Sequence, residues 1–436
     1  MVARNASHSL DMVRPAVAVV LLWAACAWPQ DAPQPVQSFQ GNVAEEYLPN
    51  PNAVETQYAN AIEQGPGIKA LSGAARALVA RLTTGIGYDD NVFRTQSNTR
   101  GDTFWLLRPA LYLNGLFGNS PYQLGYEGSY AHYFDYSTED FDDHRLFANT
   151  GLDLTRKLDL LLRAQYWWGH DPRGSLGNRI IVPGDLDRWQ EYLARAELVI
   201  GREITRAQIA PWVAFSGRRY TNNNQSIRDF DRQDIGLRGR WRFTPRLYAL
   251  GRADFANIDH LDPSNTLDRT ETEFLVGVGW LATAKTSGEA MFGIINQDFK
   301  DPALSSGTNP SWDIRIHWSP KPYSKVTLYT QRNAMENAGG VGNFLANTYG
   351  VAWAHAFTER LDLNTGIDYT VADFDSPRVD KYLGFNLALT HDVTRWLDVG
   401  LTYQYLNRRS NIPGIDYDDN AIWAQLTFAL SRSLGP

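Results

Sequence analysis

Residues 121–134 read PYQLGYEGSYAHYF, and apolar and polar side chains alternate along them. Tyr122, Leu124 and Tyr126 fall on one face of an extended chain, whereas Gln123 and Glu127 fall on the other. A tilted strand needs ~9–11 residues to cross the apolar layer of a membrane, and this stretch is long enough. The pattern therefore predicts a membrane-spanning β-strand with one lipid-facing side.

The same alternation recurs along the chain, for example at 158–168, 360–371 and 418–430. The segments are joined by connections of alternating length, and the short ones carry Thr and a basic residue, as at 155–157. The nine long, polar connections are 89–102, 135–143, 169–187, 217–229, 257–268, 299–310, 333–345, 372–379 and 407–417. Nine long connections with short ones between them predict roughly eighteen strands, with sixteen or twenty as alternatives.

Short periplasmic turns and longer extracellular loops are typical of outer-membrane barrels. The sequence thus predicts an all-β fold, a transmembrane antiparallel β-barrel, over residues 79–431. A soluble sandwich or propeller is the competing fold, but it gives no reason for the alternating connection lengths. Aromatic residues near strand ends predict the girdles of a membrane interface. They include Trp167, Trp168, Trp189, Trp312, Trp318, Trp353 and Trp396.

Composition agrees with a barrel. The 436-residue chain is 43% hydrophobic, and its mean hydropathy of -0.37 is low for a helical membrane protein. A barrel tolerates this value because only every second strand residue faces lipid. The net charge of -7, with acids and bases interspersed, offers no basic surface for nucleic acid.

The N-terminal region has the pattern of a secreted protein. Residues 1–27 predict a signal peptide, with basic residues before a short apolar run, and residues 28–78 predict a partly helical periplasmic extension. Cleavage after Ala27 would remove Cys26, the sole cysteine, and would exclude disulfides. The expected location is the cell outer membrane.

The tetrapeptide Tyr-Asp-Asp-Asn occurs twice, at 88–91 and at 417–420. Because the first and last strands of a closed barrel pair, the copies are predicted to meet on one rim. Their oxygen atoms suit Ca²⁺, although Asp and Asn also serve the geometry of a solvated turn. No other cofactor is predicted. The candidate cation-binding residues are Asp89, Asp90, Asn91, Asp418, Asp419 and Asn420.

A basic stripe is predicted on two neighbouring segments, 232–242 and 246–257. Its members are Arg238, Arg240, Arg242 and Arg252. An arginine facing the middle of the lipid layer costs ~2–4 kcal/mol, so we expect these side chains to line the lumen. The stripe could guide an anionic solute, or it could be a salt-bridge ladder that only supports the wall. The acidic members of such a ladder would be Asp254, Asp234 and Glu197.

Inward aromatic residues have two interpretations, as sliding contacts for sugar rings or as packing against the wall. They are Trp167, Tyr248 and Tyr329. Catalysis has little support, because the histidines lie in separate segments without a recognisable serine arrangement. No phosphate loop, zinc spacing or dinucleotide fingerprint occurs. The protein is therefore predicted not to be an enzyme.

Three segments carry a family resemblance that extends over most of residues 80–430. They are GIGYDDNVFR at 85–94, FLVGVGWLATAKTSGEAMFGIINQDFKDP at 274–302 and WDIRIHWSPKPYSKVTL at 312–328. The chain resembles an outer-membrane β-barrel porin family found with exopolysaccharide biosynthesis and export systems. The resemblance implies a channel, or a channel-like component, for export of an exopolysaccharide.

Two further functions stay open. One is a general diffusion porin for small hydrophilic solutes, with the loop 169–187 folded inward as a constriction. The other is a structural surface barrel. The expected partners are membrane lipid and lipopolysaccharide, a polysaccharide or small solutes as cargo, and periplasmic export proteins, but no nucleic acid.

Overall fold

The computed structural model describes residues 76–117, 120–174, 184–201, 205–283, 285–336, 343–374 and 377–433. The predicted signal peptide at 1–27 lies outside these residues, as does nearly all of the predicted extension at 28–78. Residues 175–183 of the predicted constriction loop lie outside them as well. Within the described ranges, no helix is both long and apolar enough to span a bilayer.

The described residues form a single 18-stranded sheet, which confirms the predicted number of strands. Two one-turn 3₁₀ helices, at Ser137–Glu139 and Ser226–Arg228, lie in connections between strands. The strands are β1 (Arg76–Asp89), β2 (Asp102–Phe117), β3 (Ser120–Tyr133), β4 (Phe141–Thr155), β5 (Leu158–Asp171), β6 (Asp187–Ile200), β7 (Ala207–Tyr220), β8 (Phe230–Thr244), β9 (Leu247–His260), β10 (Arg269–Thr283), β11 (Thr286–Phe299), β12 (Gly307–Lys321), β13 (Ser324–Glu336), β14 (Asn343–Thr358), β15 (Leu361–Phe374), β16 (Val379–Thr394), β17 (Leu397–Ser410) and β18 (Tyr417–Ser433).

The sheet closes on itself as an antiparallel barrel. Each strand pairs with its neighbours in the chain, and β1 also pairs with β18 from Ala77 opposite Ser433 to Asp89 opposite Ala421. We call this β1–β18 pairing the seam. Closure pairs the backbone groups of every strand, which is necessary in lipid because an unpaired group there costs several kcal/mol.

The connections separate the two ends of the barrel. One end has short turns such as 156–157 and 245–246, and the other has the longer ones. We call residues 90–101, between β1 and β2, the first loop, and the described residues 172–174 and 184–186, between β5 and β6, the third loop. By the asymmetry of outer-membrane barrels, the longer loops are extracellular. Several strands extend into segments predicted as loops, because ladder hydrogen bonds continue after the side chains become polar.

The period-two pattern sorts side chains onto two faces. Val276 is 70% exposed and shows that apolar side chains cover the outer face. Trp318 and Trp396 are also exposed but lie near strand ends, where interfacial girdles require aromatic residues. Trp167 and Trp189 were predicted for the girdle, and this prediction is wrong. Both are buried on the lumen side, with ring centroids 5.0 Å apart in an edge-to-face contact. Their position in the alternation places them on the inner face of the barrel wall.

Candidate functional site

The two Tyr-Asp-Asp-Asn copies meet at the extracellular end of the seam. The Asp90 backbone N–H donates to the Asn420 carbonyl at 3.0 Å. In return, Asn420 donates to the Asp90 carboxylate from its backbone at 2.8 Å and from its side-chain amide at 2.9 Å. The Asn91 amide donates to the Asp418 carbonyl at 2.7 Å. The structure therefore joins the two copies directly.

Strand alternation divides the six predicted cation ligands between two faces. Asp418 lies on the outer side, where it pairs with Arg409 at 2.7 Å and accepts a hydrogen bond from Tyr405 at 2.8 Å. Asp419, one residue further, lies on the lumen side and is almost completely buried, as is Asp89. Asp89, Asp90 and Asp419 lie close together. Asp418 does not belong to this group.

Arg94 connects this acidic group to the third loop. Its Nε donates to Asp419 at 3.0 Å, and its Nη1 donates to the Arg173 carbonyl at 2.5 Å. The backbone of Arg94 has a φ of 50°, which is uncommon for a bulky residue. The Tyr417 hydroxyl donates to the Gly174 carbonyl at 2.9 Å. These contacts hold the first and third loops against each other and against β18.

Glu139, from the loop between β3 and β4, completes the loop assembly. Arg173 donates to its two carboxylate oxygens at 2.6 and 2.7 Å. An apolar cluster lies beside these ion pairs and contains Val92 of the first loop and Leu186 of the third loop. The rest of the cluster is on the inner wall: Phe104, Leu106, Ala131, Tyr133, Phe141, Ala421 and Trp423. The described parts of both loops therefore fold into the mouth of the barrel.

The loop between β7 and β8 is fixed to the base of the third loop. Arg228 pairs with Asp171 at 2.6 Å and with Asp187 at 3.4 Å. Burial is the largest influence and would lower the pKa of Arg228, but the Asp171 carboxylate and the Tyr220 side chain together raise the pKa above its ordinary value. Asn222 also donates to the Leu186 carbonyl at 2.8 Å. The third loop is thus fixed at both of its described ends.

The predicted basic stripe lies on the lumen side, since the residues alternating with it, such as Leu237 and Trp241, are exposed on the outer face. The Arg238 side chain is 36% exposed and forms an ion pair with the buried Glu197. The Arg240 guanidinium lies 5.5 Å from the centroid of the Tyr248 ring. Along β8, arginine charge therefore reaches the water-facing side of the wall.

Arg252 differs from the β8 arginines because carboxylates surround it. It pairs with Asp254 at 2.9 Å and with Asp313 at 3.5 Å, and it also forms an ion pair with Glu273. Asp234, another predicted ladder member, pairs instead with Arg232 at 2.9 Å. Arg252 is thus built into a salt-bridge network within the wall.

The opposite side of the lumen is acidic. Strands β8 and β17 lie nine positions apart in the ring of eighteen, since the strands follow one another in chain order. The lumen-facing aspartates of β15 to β17 are Asp362, Asp368, Asp380, Asp392 and Asp398. Asp380 is neutralised by Arg378, and Arg408 is buried with its Nε donating to the Ile415 carbonyl at 2.7 Å. We call the arginines Arg238, Arg240 and Arg242 of β8 the basic wall, and they lie across the lumen from the aspartates of β15 to β17.

The three inward aromatic residues are all buried in the wall. Trp167 packs against Trp189, and the Tyr248 hydroxyl donates to Glu289 at 2.9 Å. The ring of Tyr329 is buried beside Gly350. None of the three offers an exposed ring on which a sugar could stack.

Comparison with known proteins identifies the family. Residues 77–430 match the family model described as "Putative beta-barrel porin 2". The chain belongs to this family. It is an outer-membrane β-barrel, as the sequence predicted. No curated protein sequence matches this porin significantly.

Several solved structures are similar to this porin over most of its length. OpdQ of Pseudomonas aeruginosa has 11% identity and a TM-score of 0.46, covering 82% of this chain and 98% of its own. OccAB3 of Acinetobacter baumannii also has 11% identity and a TM-score of 0.46, with coverages of 82% and 99%. A BenF-like porin of Pseudomonas fluorescens Pf-5 has 10% identity and a TM-score of 0.48, with coverages of 82% and 99%.

Sequence reasoning missed the residues that hold the loops in the mouth of this porin. Arg94, Arg173 and Glu139 lie in polar connections without periodicity, where nothing indicates which charge meets which. The nearest signal was Arg94, which follows the first Tyr-Asp-Asp-Asn copy within the stretch GIGYDDNVFR.

Proposed function

We propose that this porin is a diffusion channel for small hydrophilic solutes, with a mouth narrowed by its own loops. Eighteen-stranded barrels are wide enough to leave an aqueous channel. The lumen carries charged side chains on both walls, which favours a water-filled bore. The observation that supports small cargo is the packing of the first and third loops against the inner wall around Arg94.

Export of an exopolysaccharide, the function implied by the resemblance, has less support from this geometry. A polymer needs a continuous passage, but the ion pairs of Arg94 with Asp419 and of Arg173 with Glu139 hold loops in the mouth. The inward aromatic residues are buried and form no track for sugar rings. A structural surface barrel also has less support, because the first and third loops pack inward.

The opposed charges of the lumen suggest which small solutes pass best. Arginines on β8 and aspartates on β15 to β17 produce a field across the bore, and low-dielectric walls focus such a field. A zwitterion can align its two charges with this field, whereas a neutral sugar gains little. We therefore expect zwitterionic amino acids to permeate faster than neutral sugars of similar size.

Planar-bilayer recording of the purified full-length porin tests the proposal. We expect an open pore without any partner protein, and a conductance that rises with salt. Liposome swelling with sugars and amino acids of graded size then measures the size limit and the preference for zwitterions. If zwitterions and neutral sugars of the same size permeate at equal rates, the field across the bore does not select solutes.

A deletion strain separates diffusion from polymer export. We expect normal surface polysaccharide in this strain and slower uptake of small hydrophilic solutes. If the strain loses its surface polysaccharide and the purified barrel shows no conductance in bilayers, the protein is an export component and not a diffusion channel.

A further inference from the structure

Three carboxylates converge at the extracellular end of the seam. Asp89 is the last residue of β1, Asp90 is the first residue of the first loop, and Asp419 is on β18. One carboxylate oxygen from each of the three lies within 4.8 Å of the others. Asp89 is 0% exposed and Asp419 is 1% exposed. Two of the three acidic groups are therefore removed from bulk water.

The hydrogen bonds of these carboxylates leave two buried oxygens without a donor. Asp89 Oδ1 accepts from the Asn91 backbone N–H at 2.8 Å, and Asp419 Oδ2 accepts from Arg94 Nε at 3.0 Å. Asp89 Oδ2 and Asp419 Oδ1 are buried, and no N–H or O–H of the described residues donates to either. Leaving a buried, charged acceptor unsatisfied is costly, so a missing positive group is indicated between them.

The charges of the group lead to the same conclusion. Among the described residues, Asp419 pairs with the guanidinium of Arg94, and the carboxylates of Asp89 and Asp90 lie beside this pair. Asp90 also accepts two hydrogen bonds from Asn420, but these donors are neutral. If all three carboxylates are ionised, they exceed the positive charge in contact with them by two, which is the charge of one divalent cation.

We propose that Asp89, Asp90 and Asp419 bind one Ca²⁺ ion, which fastens the first loop to the seam. Carboxylate oxygens are the ligands that hard cations prefer, and Ca²⁺ accepts irregular geometries completed by water. Mg²⁺ is a weaker candidate, because it requires near-octahedral geometry and gives up its water reluctantly. The ligands come from β1, the first loop and β18, so the ion connects all three.

The site would also act on the mouth of the barrel. Asp419 holds Arg94, and Arg94 donates to the Arg173 carbonyl of the third loop. An ion at Asp419 therefore stabilises the position of both inward-folded loops. Removal of the ion should loosen them without opening the sheet, since thirteen residue pairs, from Ala77–Ser433 to Asp89–Ala421, join β1 to β18.

Terbium luminescence tests the site on the full-length porin in detergent, after removal of metals with a chelator. Tb³⁺ replaces Ca²⁺ and is excited through nearby aromatic rings, and Tyr133 is buried beside the inner wall here. We expect saturable luminescence that Ca²⁺ displaces. Asp89→Asn and Asp419→Asn each remove a charged ligand. Each should weaken Ca²⁺ binding by at least about tenfold, the loss that removal of an outer-shell partner of a metal ligand already causes.

Asp418→Asn is the matched control. It makes the same chemical change one residue away, on the outer side, where Asp418 pairs with Arg409. It should bind Ca²⁺ with the affinity of the unchanged protein. The change of mobility on heating in detergent gels shows whether each variant has folded. If a variant does not fold, Ca²⁺ binding by the unchanged protein still tests the proposal.

Three outcomes would overturn the proposal. The first is no Ca²⁺ binding by the folded, unchanged protein at millimolar concentration, in which case the two buried carboxylates share a proton instead. The second is equal weakening by Asp418→Asn and Asp419→Asn. The third is tighter binding of Mg²⁺ than of Ca²⁺. None of them affects the proposed diffusion of solutes, which bilayer recording tests separately.

Discussion

Asp90 and Asn420 lie 330 positions apart in the chain, and Asn420 donates two hydrogen bonds to the Asp90 carboxylate. One comes from the backbone at 2.8 Å and the other from the side chain at 2.9 Å. The Tyr403 hydroxyl donates to the Asn420 side chain at 2.8 Å and holds it in place. The seam thus extends one position beyond the strand ladder, to Asp90 and Asn420, where these side chains strengthen the backbone hydrogen bond between the two residues.

Asn420→Ala should weaken this extension of the seam. The change removes the side-chain hydrogen bond to the charged Asp90, and such bonds contribute about 1.5–3 kcal/mol. We expect the free energy of unfolding to fall by about that amount, measured by tryptophan fluorescence in urea. Asn364→Ala is the control, because Asn364 is exposed. An equal loss in both variants would contradict a special role for Asn420.

Removal of the β8 arginines should change the ion selectivity of the pore. In the triple variant Arg238→Gln, Arg240→Gln, Arg242→Gln, the basic wall disappears while the opposite aspartates stay, so the preference should move toward cations. The reversal potential of a bilayer under a salt gradient measures the change.

A triple variant with the same loss of charge on the outside is the control for selectivity. Arg188, Lys300 and Arg409 have side chains 41%, 52% and 48% exposed and pair with acids away from the lumen. Their replacement by Gln should leave the reversal potential almost unchanged. If both triple variants shift it equally, net charge decides selectivity and the basic wall does not.

An arginine on the outer face should destabilise the barrel far more than one in the lumen. Val276 lies near the middle of β10 and is largely exposed on the outer face. Val276→Arg should cost ~2–4 kcal/mol of unfolding free energy in lipid vesicles. Asn364→Arg places the same side chain on the lumen side of β15 and should cost little. A reversed order would mean that the two faces have been assigned wrongly.

Gly174→Ala should displace the third loop from the mouth. Gly174 has a φ of +65°, and an added Cβ would lie 2.6 Å from Cε1 of Tyr417 and 2.9 Å from Cδ of Arg94. The alanine must therefore push the loop away from β18, and single-channel recording should show a larger or noisier conductance.

Gly414→Ala is the matched control for the loop. Gly414 has a φ of +86°, and an added Cβ there would have nothing within 4 Å. Both variants strain a left-handed backbone position, but only Gly174→Ala creates a clash. Unchanged conductance in Gly174→Ala would show that the third loop does not narrow the pore.

Much of the barrel could be predicted from local pattern. Residues 121–134 alternate so regularly that their strand, its two faces and its membrane-spanning length follow directly. The alternating connection lengths fixed the strand number and its orientation. The girdle prediction failed for Trp167 and Trp189, because closeness to a strand end does not tell which face a side chain occupies. The alternation itself assigns both to the lumen side.

The candidate site was only partly predictable. The repeated Tyr-Asp-Asp-Asn indicated that two distant segments meet, since closure of a barrel joins its ends. Strand register then decided that Asp419 joins Asp89 on the inside while Asp418 faces Arg409 outside. The pairing register of β1 with β18 decides which residues of the two copies lie beside each other, and the tetrapeptide does not specify that register.

The amino-acid sequence by itself determined the strands, their number and their two faces, because a period of two acts through neighbours in the chain. Only the tertiary structure decided how the mouth is built. Contacts such as Arg94 with Asp419 and Arg173 with Glu139 join separate loops. Polar loops have no periodicity, so their sequence does not indicate which charged residues pair. The pairs form between side chains that closure of the barrel brings together.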